Sequence, residues 1–227
     1  MEKDNHDRKD RLNIIIGGNI GLGKTTVAKM LGDHFGYKVF YENIDSPLLK
    51  DFYESSEEEM IEKRIPFLMQ LEFLKNTFTN LNNANKLDNA IIDRSAYENL
   101  YFVKVNTELG RISETEYSIY KGLLNTMMDI AENGDVKKPE IMVYLHGSFD
   151  LMMDRIKLRG REFEQDESLI EYYRLLWEGY DDWVNSYYGS SNILRVNMDE
   201  IDLVYNPDDA YELFSSVEKL ANKVKFG

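Results

Sequence analysis

Cysteine is absent from the 227 residues, which excludes disulfides, thiolate metal sites and cysteine nucleophiles. Proline is scarce at four residues, and no Pro/Gly-rich stretch marks a linker. No internal repeat is present, and no run approaches the 18 or so apolar residues of a membrane span. Residues 1–11, MEKDNHDRKDR, carry eight charges and no apolar h-region. They read as a disordered, solvated tail and not as a secretory signal. Basic residues are also short: 27 Lys and Arg face 41 Asp and Glu, a formal charge of −14. A nucleic acid polymer, which needs a basic face, is therefore not the expected partner. A small anion in a local basic pocket stays compatible. What is present, 43% hydrophobic and 12% aromatic residues, suffices for one sizeable core. The expectation is a single acidic domain over residues 12–227, soluble and cytoplasmic, with no membrane partner.

Short apolar runs alternate with longer helical patterns along that stretch. Residues 12–16, 38–41, 90–93, 141–145 and 193–196 are apolar and brief enough for buried parallel strands. Helical spacing covers residues 24–35, 60–81, 96–109, 113–132, 149–158, 168–187 and 208–224. Strand alternating with helix predicts an α/β fold, a five-stranded parallel sheet with helices on both faces. Such sheets bind ligands just past the carboxyl ends of their strands.

The first strand runs into Gly18-Asn19-Ile20-Gly21-Leu22-Gly23-Lys24-Thr25-Thr26, which fits G-x-x-x-x-G-K-[ST]. Glycines let backbone N–H groups converge on phosphate oxygens, and the next helix offers its positive end to the same anion. Lys24 supplies a point charge at the β/γ-phosphates, and the Thr25 hydroxyl can ligate Mg²⁺. A plain glycine turn before a helix is the rival explanation. Chance alone gives such a match in roughly one chain of this size in a hundred, and the strand and helix it requires flank it here. Nucleoside triphosphate binding follows.

Two fragments resemble switch-GTPase motifs, Asp33-His34-Phe35-Gly36 and Asn85-Lys86-Leu87-Asp88. The first lies at the far end of the helix after the phosphate loop, and the second precedes a strand instead of following one. Both read as coincidence. The other strand ends say more. Strand two ends at Tyr41-Glu42 and strand three at Asp93-Arg94-Ser95, so Lys24, Thr25, Glu42, Asp93 and Arg94 share one rim. Either acid alone could be a surface charge, and Ser95 a helix cap. Together they supply what phosphoryl transfer needs: a metal-ligating acid, an acid for the acceptor hydroxyl, and cations on the phosphoryl group. A third cluster runs from Arg155 through Lys157 and Arg159 to Gly160-Arg161. Arg155 and Arg159 lie four apart on one helix face, and Gly160 lets the chain turn to present Arg161. A solvated basic helix end is the plain alternative. Beside a phosphate loop, an arginine lid over ATP phosphates, at about residues 155–167, is preferred.

From Asn13 to the final helix the chain resembles the deoxynucleoside kinases, most closely the bacterial deoxyadenosine/deoxyguanosine kinases. The matching residues are the P-loop, Tyr41-Glu42 with Asp45 and Pro47, Gln70, Asp93-Arg94-Ser95 with Tyr97-Glu98, and Arg159-Gly160-Arg161 with Phe163-Glu164-Gln165. The resemblance implies transfer of the ATP γ-phosphoryl to the 5′-hydroxyl of a deoxynucleoside, with Mg²⁺, by a dimer of identical or related subunits. It implies Glu42 as the base at the 5′-hydroxyl and Asp93 as the acid at Mg²⁺ with Thr25, although Asp93 can also be named the proton acceptor. Arg94 would bridge the acceptor hydroxyl and the phosphoryl. Tyr53 and Glu164 would bond the sugar 3′-hydroxyl, and Gln70 would read the base. The segment between Tyr53 and Gln70 is longer than is usual in the family. Asn99 stands where bacterial relatives usually carry Asp, and its amide both donates and accepts. A purine deoxynucleoside is the expected acceptor, deoxyadenosine first, then deoxyguanosine, with deoxycytidine as a further candidate.

Two rivals frame that expectation. A nucleoside monophosphate kinase, such as a thymidylate kinase, would need further arginines for a second phosphate; between Glu42 and Tyr97 only Arg64 and Arg94 are present. A non-catalytic nucleotide-binding subunit would not need an acid at each strand end. The Met127/Met128 and Met152/Met153 pairs read as packing.

Overall fold

The computed structural model describes residues 12–133, 141–188 and 192–226; the tail expected over residues 1–11 lies outside them. The elements follow in order: β1 (Leu12–Gly18), α1 (Lys24–Phe35), β2 (Lys38–Phe40), α2 (Pro47–Glu54), α3 (Glu57–Glu62), α4 (Ile65–Ala84) and β3 (Asn89–Asp93). Then come α5 (Ala96–Glu108), α6 (Glu114–Asn133), β4 (Ile141–His146), α7 (Phe149–Arg159), α8 (Ile170–Glu178), α9 (Tyr180–Tyr188), β5 (Ile193–Asn197) and α10 (Pro207–Phe226). Single 3₁₀ turns at Glu162–Glu164 and Glu167–Leu169 link α7 to α8.

The five strands form one sheet in the order β2-β3-β1-β4-β5, every pairing parallel. β1 lies at its centre, buried along its whole length, as its Leu-Asn-Ile-Ile-Ile run, with its one polar residue Asn13 bonded to Asn85, suits a strand covered on both faces. From β1 the chain moves one way across the sheet to β2 and afterwards the other way. Right-handed crossovers therefore set α1 on the face opposite α4 to α6. α10 returns to the side of α1, where Phe214 stacks on His34 with ring centroids 4.1 Å apart. Met128 and Met152 are buried, and Met127 and Met153 pack against the same core, as their packing role predicts.

Three expectations need correction. The single helix expected over residues 60–81 is two, because Pro66 falls in the first turn of α4 and its ring would clash with the carbonyl of Glu62 in a continuous helix. Arg64 takes the intervening left-handed turn at φ 56°. The helix expected over residues 168–187 also breaks, at Gly179. A Cβ there would sit 2.6 Å from the Tyr101 hydroxyl, so only glycine permits the approach of α5. Finally, residues 47–54 form α2, started by Ser46 as cap and Pro47 in the first turn. The register pairs Ile16 with Asp93 and Gly18 with Leu145, which lines up the carboxyl ends of β1, β3 and β4.

Candidate active site

The carboxyl ends of the strands open into a cleft of about 900 Å³. One end of it is the phosphate loop. Gly18 stands at φ 144°, and a Cβ there would lie 2.5 Å from the Leu145 carbonyl oxygen, so this position tolerates only glycine. Lys24 is buried and donates from Nζ to the carbonyls of Gly18 and Asn19, each at 2.8 Å. Burial, assisted by the nearby Arg94 charge, lowers its pKa to about 8. The side-chain oxygen of Asn19 accepts from the Ile20 amide at 2.8 Å, bracing the loop from within.

Next to the loop, Thr25 Oγ1 donates to Asp93 Oδ2 at 2.7 Å. The other oxygen, Asp93 Oδ1, is buried without a hydrogen-bond partner. Burial pushes the Asp93 carboxyl upward, with the Lys24 charge opposing. Arg94 follows at φ 76°, a left-handed conformation uncommon for a non-glycine residue. Its amide donates to the Ile16 carbonyl at 3.1 Å, so β1 helps hold the turn. The Arg94 Nε lies 2.8 Å from Glu42 Oε1, an ion pair whose angle falls short of a hydrogen bond. Burial opposes the Arg94 charge, but Glu42 and the further acids Glu98 and Asp93 reverse this and raise its pKa. Phe102 closes the other side, its ring 4.5 Å from the guanidinium.

The opposite wall comes from α2, α4 and α5. Phe52, Tyr53, Met69, Gln70, Phe73 and Asn99 line it. Gln70 is 2% exposed and its Oε1 has no partner. Asn99 donates from Nδ2 to Thr77 Oγ1 at 3.1 Å. The Tyr53 ring lies 5.4 Å from Phe163, and burial pushes its hydroxyl pKa up. Within the segment between Tyr53 and Gln70, residues 57–62 form α3, and Tyr53 still lines the cleft; Glu57 at the start of α3 takes a bidentate contact from Arg111, 2.8 Å at Nε and at Nη2.

Over the cleft run the arginines after β4. Arg155 donates to the Leu22 carbonyl at 3.0 Å. Arg159 donates from Nε and Nη2 to Glu164 Oε2 at 3.0 and 2.6 Å, and Arg161 to Oε1 at 3.2 Å. Gly160 ends α7 in a left-handed turn, φ 69°, as its place between the two arginines predicts.

Most residues singled out from the sequence thus meet in one cleft. Gly18, Asn19, Leu22 and Asp93 are not on its surface: the first two give carbonyls to Lys24, Leu22 packs in the core, and Asp93 is reached through Thr25. The two GTPase-like fragments are elsewhere. Asp33 pairs with Lys29 on the surface, and Asn85 accepts from Asn13 Nδ2 at 3.2 Å beside the start of β1. Sequence reasoning missed the wall formed by Met198, Ile201 and residues 202–205, which carries no motif. It named Glu98 without giving it a role, although the Ser95-x-x-Glu98 spacing is that of a capping box, which the structure forms with Glu98 buried.

A parallel sheet in this order, a phosphate loop after β1 and acids on the adjoining rim define a P-loop kinase fold. Comparison with known proteins carries this further. The family model for deoxynucleoside kinase matches residues 14–222. The deoxyadenosine kinase of Lactobacillus acidophilus is 35% identical over 215 residues, 93% of this chain and 97% of that protein. The deoxyguanosine kinase of Lactobacillus johnsonii is 34% identical over 94% of both chains. The structure of deoxyadenosine kinase from M. mycoides with bound dATP superposes with a TM-score of 0.71 at 26% identity, covering 92% of this chain and all of that one. The chain belongs to the deoxynucleoside kinase family.

Proposed function

We propose that this chain transfers the γ-phosphoryl group of ATP to the 5′-hydroxyl of a purine deoxynucleoside, deoxyadenosine first, with deoxyguanosine and deoxycytidine as further acceptors. One observation carries the reading: the phosphate loop shares its cleft with an apolar wall holding Gln70, a buried amide whose oxygen has no partner. A base offering a hydrogen-bond donor satisfies that oxygen.

Position supports the following roles. The loop from Gly18 to Thr26 and the arginines Arg155, Arg159 and Arg161 hold the donor phosphates, residues 155–167 closing over them as a lid. Thr25 Oγ1 and Asp93 offer oxygen ligands, with Asp93 Oδ1 unpartnered. Few protein oxygens suit Mg²⁺, which keeps waters and phosphate oxygens in its shell. Bound there, Mg²⁺ supplies charge neutralisation on the donor phosphates. Glu42 takes the 5′-hydroxyl proton, and Arg94, held by Glu42, stabilises the transferring group. Tyr53 and Glu164 receive the 3′-hydroxyl, and Asn99, which lines the same cleft as Gln70, meets the base. Residues 12–227 act as one kinase domain, cytoplasmic and dimeric, with an identical or related subunit.

The monophosphate-kinase alternative loses its extra cation: Arg64 is paired with Glu116 at 3.2 Å and lies outside the cleft lining. A panel of the four deoxynucleosides, with thymidine monophosphate as fifth acceptor, tests the proposal. Purine deoxynucleosides should lead in kcat/KM and thymidine should trail. A preference for thymidine or its monophosphate over deoxyadenosine would overturn it, and nucleotide binding without turnover on any acceptor would favour a non-catalytic subunit.

A further inference from the structure

Glu98 is fully buried, and the roles above do not use it. It lies in the first turn of α5, where a glutamate ordinarily serves its own helix, and it does so: Glu98 Oε2 accepts from the Ser95 amide at 2.7 Å while Ser95 Oγ accepts from the Glu98 amide at 3.2 Å. The other oxygen does something a capping box does not need. Oε1 accepts from the Gly18 amide at 3.0 Å, eighty residues earlier in the chain, and from the Tyr180 hydroxyl. That hydroxyl also lies 3.1 Å from the Gly18 carbonyl. One carboxylate therefore spans the point where β1 and β3 part after the pairing of Ile16 with Asp93. It collects two backbone N–H groups, one from the start of the phosphate loop and one directly after Arg94.

We propose that Glu98 is a positioning residue for phosphoryl transfer, its carboxylate setting the separation between the phosphate loop at Gly18 and the Asp93-Arg94-Ser95 turn. The donor phosphates rest on the first of these and the groups acting on the transferring phosphoryl sit on the second, so a slip between them misaligns the reaction without removing any contacting group. Nearby sterics leave little slack. A Cβ on Gly17 would lie 3.3 Å from Glu98 Oε1, so the carboxylate abuts the strand itself. The turn is anchored a second time by Tyr188, whose hydroxyl donates to Ser95 Oγ. α9 thus supplies a tyrosine to each side of the tie, at Tyr180 and at Tyr188. The inference rests on the kinase reading for its effect on turnover, but the tie can be read independently of any substrate.

Glu98→Gln keeps the volume and turns an NH₂ group toward one of the two amide donors. With the protein held well below the variant's measured Tm, kcat should fall roughly 10- to 100-fold, the usual effect of losing an outer-shell orienting contact. The deoxyadenosine KM and the ADP affinity should keep their wild-type values. Glu98→Asp preserves the charge and shortens the reach by one methylene: a loss like that of Gln supports the tie, whereas full recovery refutes it. Tyr180→Phe leaves both backbone contacts in place and should lower kcat only a few-fold; it serves as the second variant if Glu98→Gln does not fold. Hydrogen exchange at the Gly18 and Ser95 amides gives the substrate-free readout. Selective acceleration at these two amides supports the tie, and unchanged protection overturns it. A wild-type chain that phosphorylates no deoxynucleoside would sink the kinase reading and leave the exchange result to decide the tie.

Discussion

Replacing Glu42 by Gln removes a charge while keeping the shape, and the surroundings let two consequences be separated. The carboxylate pairs with Arg94 at 2.8 Å, with side chains only 17% and 8% exposed. Removing one partner of a well-buried pair costs about 3–5 kcal/mol when the other is left alone. Arg94 is not left alone, because Asp93 and Glu98 also favour its charge, so the stability loss should fall below that range, about 1–2 kcal/mol. The catalytic loss should be larger. Loss of a general base lowers turnover roughly 10²–10⁴-fold, about 3–5 kcal/mol in the barrier at 1.36 kcal/mol per decade. Steady-state kcat at saturating ATP and deoxyadenosine measures it, with calorimetric ADP binding as the control expected to stay unchanged. Asp93→Asn provides the contrast, since it should raise the Mg²⁺ concentration needed for half-maximal rate while Glu42→Gln should not. Wild-type turnover in Glu42→Gln would refute the reasoning and move the proton acceptor to Asp93.

Lys24 sets a pH limit. Its pKa is lowered to about 8 by burial and by Arg94, so the charged form that attracts phosphate is lost as pH rises through that value. ADP affinity measured between pH 7 and 9 should weaken by up to about tenfold per unit above 8, and an affinity flat across the range would contradict this. Gln70→Met removes a buried oxygen that has no partner. It should leave Tm unchanged or higher while cutting discrimination between deoxyadenosine and thymidine by about 1–3 kcal/mol; retained discrimination would place base reading elsewhere. Glu164 is already held by Arg159 and Arg161, so a missing 3′-hydroxyl does not strand the carboxylate, as burial alone would suggest. The kcat/KM for dideoxyadenosine should then fall by roughly 10- to 100-fold, the worth of one hydrogen bond to a charged group, and equal values for both nucleosides would disprove the contact. Asn99→Asp removes the donor to Thr77 and should move the purine preference several-fold; no change would take Asn99 out of base recognition.

The sequence alone determined what is local in the chain. The phosphate loop was legible because nine consecutive residues, Gly18 to Thr26, fix their own conformation through glycine and through the start of α1. Glu42 and the Asp93-Arg94 pair were legible because each apolar run marks a strand and parallel strands present their carboxyl ends on one rim. The breaks at Pro66 and Gly179 had residue-level causes, yet the apolar spacing continued across both and outweighed them. Only the tertiary structure decided which distant side chains share a hydrogen bond. Glu98 satisfied a capping box in the sequence, and nothing local to α5 tells that its second oxygen meets Gly18. Likewise, from the residues alone Gln70 was a polar residue on a helix face, until α4 packed against α2 and α5 and buried its amide in the cleft it shares with the phosphate loop. The wall at residues 198–205 arrives after β5 and touches the cleft only because β5 is parallel to β4. A helix or a turn is specified by neighbours within a few residues, whereas a site is assembled by sheet order and register, and those depend on contacts the whole chain makes at once.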